Sequence, residues 1–185
     1  MSLSLMTGTP RAKRSSGRTD VTDITVYYLE MRSPVQLIPG RDPPCLQITE
    51  ARVKQWPLNR FLYQYVGGPW DWKDKLAWTD QQWRDYAEAE NLRTWVAYTE
   101  GSPAGYFELQ KQSGQEVEIK YFGLAEAFIG KGFGSKLLTA ALEQAWAWGD
   151  VSRVWVHTCS LDHPGALANY QARGLKLYQT QLETA

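Results

Sequence analysis

Gly130, Gly132 and Gly134 stand at every second position, with Ser135 directly behind them. Glycines so spaced let backbone amides approach a ligand closely. A helix starting there adds unpaired N–H groups at the positive end of its dipole. That chemistry holds anions, and its natural guest is a phosphate or pyrophosphate. A plain glycine turn before a surface helix would show the same local pattern. A Walker loop is excluded, because Lys131 is followed by Gly132 and no glycine stands five residues before Gly130. The dinucleotide pattern GxGxxG fails as well, since Ser135 occupies the third glycine. A second set of candidates, His157, Cys159, Asp162 and His163, consists of side chains able to ligate zinc. Their His-x-Cys-x-x-x-His spacing is not a common zinc signature, and no metal site is expected.

The elements that must position these residues can be read from the hydrophobic periodicity. Val117, Ile119 and Tyr121 alternate with polar neighbours and predict a strand over 116–124 whose alternation slips near its end. Leu138, Ala141, Leu142, Ala145 and Trp148 share one face of a helix opening at Ser135. Upstream, 24–31 reads as a strand by its β-branched and aromatic content. Residues 50–65 read as a helix that Pro57 breaks or kinks, and 67–72 as a turn carrying Trp70 and Trp72. Thr79 caps a helix running to about Glu90, with Trp83 and Tyr86 inward. Strands over 94–99, 104–110 and 116–124 form an antiparallel meander joined by turns at 101–103 and 113–114. Downstream come a strand over 153–159, a helix over 164–172 stopped by Gly174, and a strand over 175–182.

The segment Ile129 to Gly134 resembles the acyl-CoA loop of the GCN5-related N-acetyltransferase (GNAT) family: Arg or Gln, two residues, Gly, one residue, then Gly or Ala. The glycines match, and Ile129 stands where Arg or Gln is usual. Residues 163–174 are similar to the family's fourth-helix motif through Ala166, Tyr170 and Gly174, with His163 at the usual Asn position. The element order over about 24–183 is also the family's. The resemblance implies an α/β (α+β) fold, with a mostly antiparallel mixed sheet of six to seven strands flanked by about four helices. It implies acetyl-CoA as co-substrate and an N-acetyltransferase acting on a small-molecule amine or amino-acid-like acceptor. A non-catalytic GNAT-like module that binds acyl-CoA or a partner is the alternative, fed by the departures at Ile129 and His163.

Acyl transfer from a thioester to an amine needs a base for the acceptor, a polarised carbonyl, a proton for the departing thiolate and a held CoA. The resemblance gives the last task to the amides of Gly130, Lys131, Gly132, Phe133, Gly134 and Ser135, with Ile129, His163 and Asn169 beside them. It gives carbonyl polarisation to the Leu124 amide, and thiolate protonation to Tyr170. Gly123, next to Phe122 and Leu124, suits a bulge that would splay this strand from its neighbour and open a slot for the pantetheine arm. Glu118 leads as base, six residues before Leu124, as in some family members. It would share a face with Leu124 if no bulge intervenes, and would need its pKa raised by burial. Glu116 is the reserve, and His157 needs no tuning because an imidazole already titrates in the useful range. Trp70, Asp71, Trp72 and Trp83 would wall the acceptor, with Asp71 and Asp74 as amine partners.

Composition sets outer limits. Twenty basic residues balance twenty acidic ones within 185, which gives no reason to expect a nucleic-acid or membrane-surface partner. Two cysteines make no disulfide framework, and a cytoplasmic location is expected for a monomer or homodimer. Nine Trp and ten Tyr exceed what a core needs, so some should line a pocket. Residues 1–22 offer almost nothing to bury and read as a mobile tail ahead of one domain over 23–185.

Overall fold

The computed structural model describes residues 23–70 and 72–184; the expected tail and Asp71 lie outside the described residues. One mixed sheet holds seven strands: β1 (Asp23–Met31), β2 (Gln47–Glu50), β3 (Leu92–Thr99), β4 (Ser102–Gln112), β5 (Glu116–Leu124), β6 (Arg153–Cys159) and β7 (Lys176–Thr184). Their order is β2-β3-β4-β5-β6-β1-β7. Every pairing is antiparallel except β5 with β6. Two helices, α1 (Trp56–Gly67) and α2 (Asp80–Ala87), cover one face of the sheet, and α3 (Phe133–Trp146) and α4 (Ala166–Ala172) cover the other. Among the described residues no helix is long and apolar enough to cross a membrane.

Both faces are packed by the expected alternation. Trp95, Phe107, Leu109, Val117, Ile119, Val154 and Val156 meet Leu137, Leu138, Ala141 and Leu142 of α3 in the larger core. Val96 and Tyr106 turn the other way, to Leu62 and Val66 of α1. The capping box predicted at Thr79 is present, with its partner Gln82.

Two local expectations are corrected. Gln47–Glu50 is an edge strand on β3, not a helix start: its run is short and polar, and residues 51–55 lack a cap. Pro57 neither breaks nor kinks a helix, because α1 begins at Trp56 and its first turn leaves the missing N–H without consequence. The strand expected over 24–31 is present as β1. β1 lies between β6 and β7, with Tyr28 opposite both His157 and Gln179. Its Leu29 and Met31 are fully buried in the larger core.

The strand that positions the site is β5. Glu108 faces Tyr121 while Leu109 faces Ile119, so Lys120 is a bulge with no partner on β4. The parallel ladder to β6 runs from Glu116 to Glu118 and then stops. Beyond it the two strands diverge. The opening is therefore present, but its bulge is at Lys120 and not at Gly123. Gly123 stays in register with Tyr106, and a Cβ there would stand 2.6 Å from Val66 Cγ1, so glycine is needed for the close approach of α1.

Because β1 is buried on its α3 side, Leu29→Ala should lower the unfolding free energy by about 2–5 kcal/mol. Urea denaturation measures this. A loss well below about 1 kcal/mol would mean that β1 is not part of the core.

Candidate active site

A cavity of about 740 Å³ passes through the gap between β5 and β6. On the α3–α4 face it is bounded by the glycine loop, with Ile129, Gly130, Gly132, Gly134 and Ser135 in its wall. Gly130 and Gly132 have φ of 79° and 81°, the left-handed region that L side chains rarely adopt. Gly132 is the N-cap of α3, with no side chain capping the helix, so the first-turn amides from Phe133 onward point outward without an intrahelical acceptor. Asn169 donates from Nδ2 to the Gly134 carbonyl at 3.2 Å, which ties α4 to the loop. The Phe133 side chain is buried near Phe128, and Lys131 lies over the Phe128 ring. Neither residue lines the cavity, whose loop wall is formed by Ile129, Gly130, Gly132, Gly134 and Ser135. These features fit a pyrophosphate.

The middle of the cavity is the strand gap. Phe122, Gly123 and Leu124 form one side, Val156, His157 and Thr158 the other. The Ala125 N–H donates to Ala104 at 2.9 Å. Alternation along an extended chain turns the Leu124 N–H the opposite way, into the gap. Tyr170 enters from α4, with its ring 5.8 Å from that of Phe122. Its hydroxyl has no hydrogen-bond partner among the described residues, and burial together with the Asp162 charge pushes its pKa well up, so it stands there as a neutral phenol.

Glu118 and His157 stand differently from expectation. The Lys120 bulge puts Glu118 on the face opposite Leu124, and Glu118 is 2% exposed and does not line the cavity. It accepts from Gln112 at 2.8 Å and Lys120 at 3.1 Å, and His157 Nδ1 lies 3.5 Å from its Oε1. Burial alone would raise its carboxyl, but His157 and Lys120 outweigh burial and hold it below the ordinary carboxylate range. The raised pKa expected of a base is thus absent at Glu118. The imidazole lines the cavity and the carboxylate lies behind it. Glu116, the reserve, is paired with Arg153 at 3.0 Å.

On the α1–α2 face the wall is Trp70, Trp72, Asp74 and Tyr121, facing Tyr28 of β1. Trp72 donates from Nε1 to Asp162 at 3.3 Å, a bond that spans the cavity to the β6–α4 turn. Asp162 also accepts from Thr158 at 2.6 Å and the Cys159 N–H at 3.0 Å. The Trp70 ring meets the His163 ring edge-on at 5.1 Å, while His163 Nδ1 accepts from the Gly165 N–H. Among the described residues no three His, Cys, Asp or Glu side chains cluster as metal ligands would. Trp83, expected against the acceptor, is instead 1% exposed and fixed in the core by Tyr63, Trp78 and Tyr86. Two features escaped sequence reasoning. Tyr28 reaches the cavity through the non-local pairing of β1. Lys75 is buried with its ammonium 4.1 Å from the Trp78 ring centroid, 4.8 Å from that of Tyr86 and 5.1 Å from that of Tyr121. The aromatic surplus signalled the second of these; nothing local signalled the first.

Comparison with known proteins gives a consistent picture. A family model described as "Acetyltransferase (GNAT) family" matches residues 47–175, which leaves β1 and β7 outside the match. No curated protein matches the chain. Among solved structures, a GCN5-related N-acetyltransferase from Kribbella flavida superposes with a TM-score of 0.62 at 16% identity, over 86% of this chain and 58% of the other. A second, from Sphaerobacter thermophilus, gives 0.65 at 14% identity over 86% and 50%. An aminoglycoside acetyltransferase from an uncultured soil metagenomic sample gives 0.57 at 19% identity over 70% and 87%. At these identities the likeness shows the fold, and this chain spans only 58% and 50% of the first two structures.

Because His157 helps hold the Glu118 carboxyl down against burial, His157→Gln should leave Lys120 alone to oppose burial and move that carboxyl to a higher pKa. Carbon-13 NMR titration of the carboxyl reads the change, and an unmoved or lowered value would show that the imidazole does not act on Glu118.

Proposed function

The chain belongs to the GNAT acetyltransferase family, and on that premise we propose that it is an acyl-CoA-dependent N-acyltransferase moving acetyl from acetyl-CoA to an amine by direct attack. The observation that carries the reading is the continuous cavity, with an anion cradle on one face of the sheet, a phenol and an imidazole in its walls, and an aromatic chamber on the other face. The amides from Gly130 to Ser135 would hold the pyrophosphate, and the strand gap the pantetheine arm. When bound, acetyl-CoA supplies the thioester carbonyl.

The residues then divide the work. His157 takes a proton from the acceptor nitrogen, and Glu118 behind it steadies the cationic imidazole. As the new C–N bond forms, the Leu124 N–H stabilises charge on the carbonyl oxygen. As the C–S bond breaks, Tyr170 gives its proton to sulfur and regains one from solvent, while His157 releases the acceptor's proton. The products are the amide and the free thiol. His157 is preferred over Glu118 as base because it lines the cavity and Glu118 does not.

Two measurements test this. No atom lies within 4 Å of a Cβ built on Gly132, but its φ of 81° forbids a β-branched side chain without rebuilding the loop. Gly132→Val should therefore lose acetyl-CoA binding by calorimetry with an unchanged circular dichroism spectrum. Unchanged affinity would remove the cradle and the assignment with it. For proton handling, Tyr170→Phe should lower kcat by about 10²-fold, and His157→Gln should remove the acidic limb of the pH profile. Both should leave acetyl-CoA affinity nearly intact. Full turnover in Tyr170→Phe would make the tyrosine a core residue, and a limb lost only in Glu118→Gln would make that carboxylate the base.

A further inference from the structure

The acceptor end of the cavity has a distinct charge. Among the described residues lining the cavity there is no arginine, and its one lysine, Lys120, is already paired with the buried Glu118 at 3.1 Å. The carboxylates that line it are Asp74, Asp162 and Glu183. Asp162 accepts from three donors, Trp72, Thr158 and Cys159, and is half-buried in the β6–α4 turn. Of the two, Asp74 is the open one. Its side chain is 61% exposed, yet it is fixed in place from three sides. Tyr63 donates to Oδ1 at 2.5 Å, and Tyr121 and Lys75 donate to Oδ2 at 2.8 and 3.2 Å. The Lys75 ammonium is itself confined by Trp78, Tyr86 and Tyr121, so it cannot swing out to receive an anion without leaving that cage. A carboxylate has about four acceptor sites, and three donors leave one, on Oδ1. Beside it stand the flat walls of Trp72 and Tyr121.

We infer that Asp74 seats the acceptor's ammonium, which gives one proton to solvent before attack and its second to His157, and that the acceptor is a small cationic amine with an aromatic or apolar body and no carboxylate. This rests on the acyltransferase reading and names its substrate class. An amino acid would bring a carboxylate into a chamber where the described residues offer no unpaired cation to receive it, and where Asp74 and Glu183 stand in the wall. Its decarboxylated counterpart keeps the ring and the ammonium and avoids that repulsion. Lys75, Tyr63 and Tyr121 act as positioning residues for Asp74.

The test compares 2-phenylethylamine with L-phenylalanine, which differ by the carboxylate alone. Thiol release from acetyl-CoA should favour 2-phenylethylamine by tenfold or more in kcat/KM. Asp74→Asn should lower kcat/KM for 2-phenylethylamine by about 10- to 100-fold, mainly through KM, with acetyl-CoA affinity unchanged. Lys75→Met, which removes the cation sharing Asp74, should lower KM for 2-phenylethylamine, and Lys75→Arg should keep it near the parent value. Calorimetry of 2-phenylethylamine on the CoA-loaded protein reads the same site without turnover, in the parent protein and in Asp74→Asn. Phenylalanine used equally well, or an unchanged KM and binding affinity in a folded Asp74→Asn protein, would overturn the inference. Amine binding that depends on Asp74 but releases no thiol would keep the inference and sink the acyltransferase reading.

Discussion

A single unpaired residue, Lys120, sets the geometry on which the site depends. By bulging out of the β4–β5 ladder it bends β5, and the parallel ladder to β6 ends after Glu118. Backbone groups beyond that point, the Leu124 N–H among them, lose the strand that would satisfy them. Buried backbone donors seldom go unpaired, so an opening of this kind is stable where water or a ligand completes it. The cavity, the approach of Tyr170 from one face and of the tryptophans from the other all follow from that divergence. The same residue then closes an electrostatic circuit, because its ammonium returns to Glu118 at 3.1 Å.

The charges around the cavity are held rather than free. Glu118 is nearly inaccessible and is compensated by Lys120, Gln112 and His157. Burying a carboxylate costs several kcal/mol unless such partners are in place. On the same α1–α2 face of the sheet, Asp74 and Lys75 are clamped by tyrosines and a tryptophan. The long aromatic inventory is divided accordingly: Trp83 and Tyr106 fill space, Tyr63 and Tyr121 donate to a carboxylate, and Trp78 and Tyr86 enclose a cation. Trp70 and Trp72 remain for the cavity wall.

Terminal strands complete the chamber. β1 and β7 fall outside the span shared with the family model, yet Tyr28 and Glu183 both line the cavity. Leu29 and Met31 anchor β1 beneath α3 and α4, so the wall facing Trp72 is built on the core. In this chain, then, variation at the ends of the sequence bears directly on the acceptor side.

Much of this was legible from local pattern. The glycine spacing, the helix behind it, the Thr79 cap and the motif around Tyr170 each express a constraint that acts within a few residues: left-handed φ, unpaired first-turn amides, a side chain reaching three residues ahead. Those constraints were enough to indicate most element types and the fold class. Tertiary structure decided the remainder. That β1 inserts between β6 and β7, that Lys120 rather than Gly123 bulges, and that Glu118 therefore shares a face with His157 and lies behind the imidazole are all matters of strand register. Register is chosen by burial summed over partners far apart in sequence, and a shift of one residue moves a side chain to the other face. No single segment of the chain carries that information, which is why the chemistry was readable from the residues but its geometry was not.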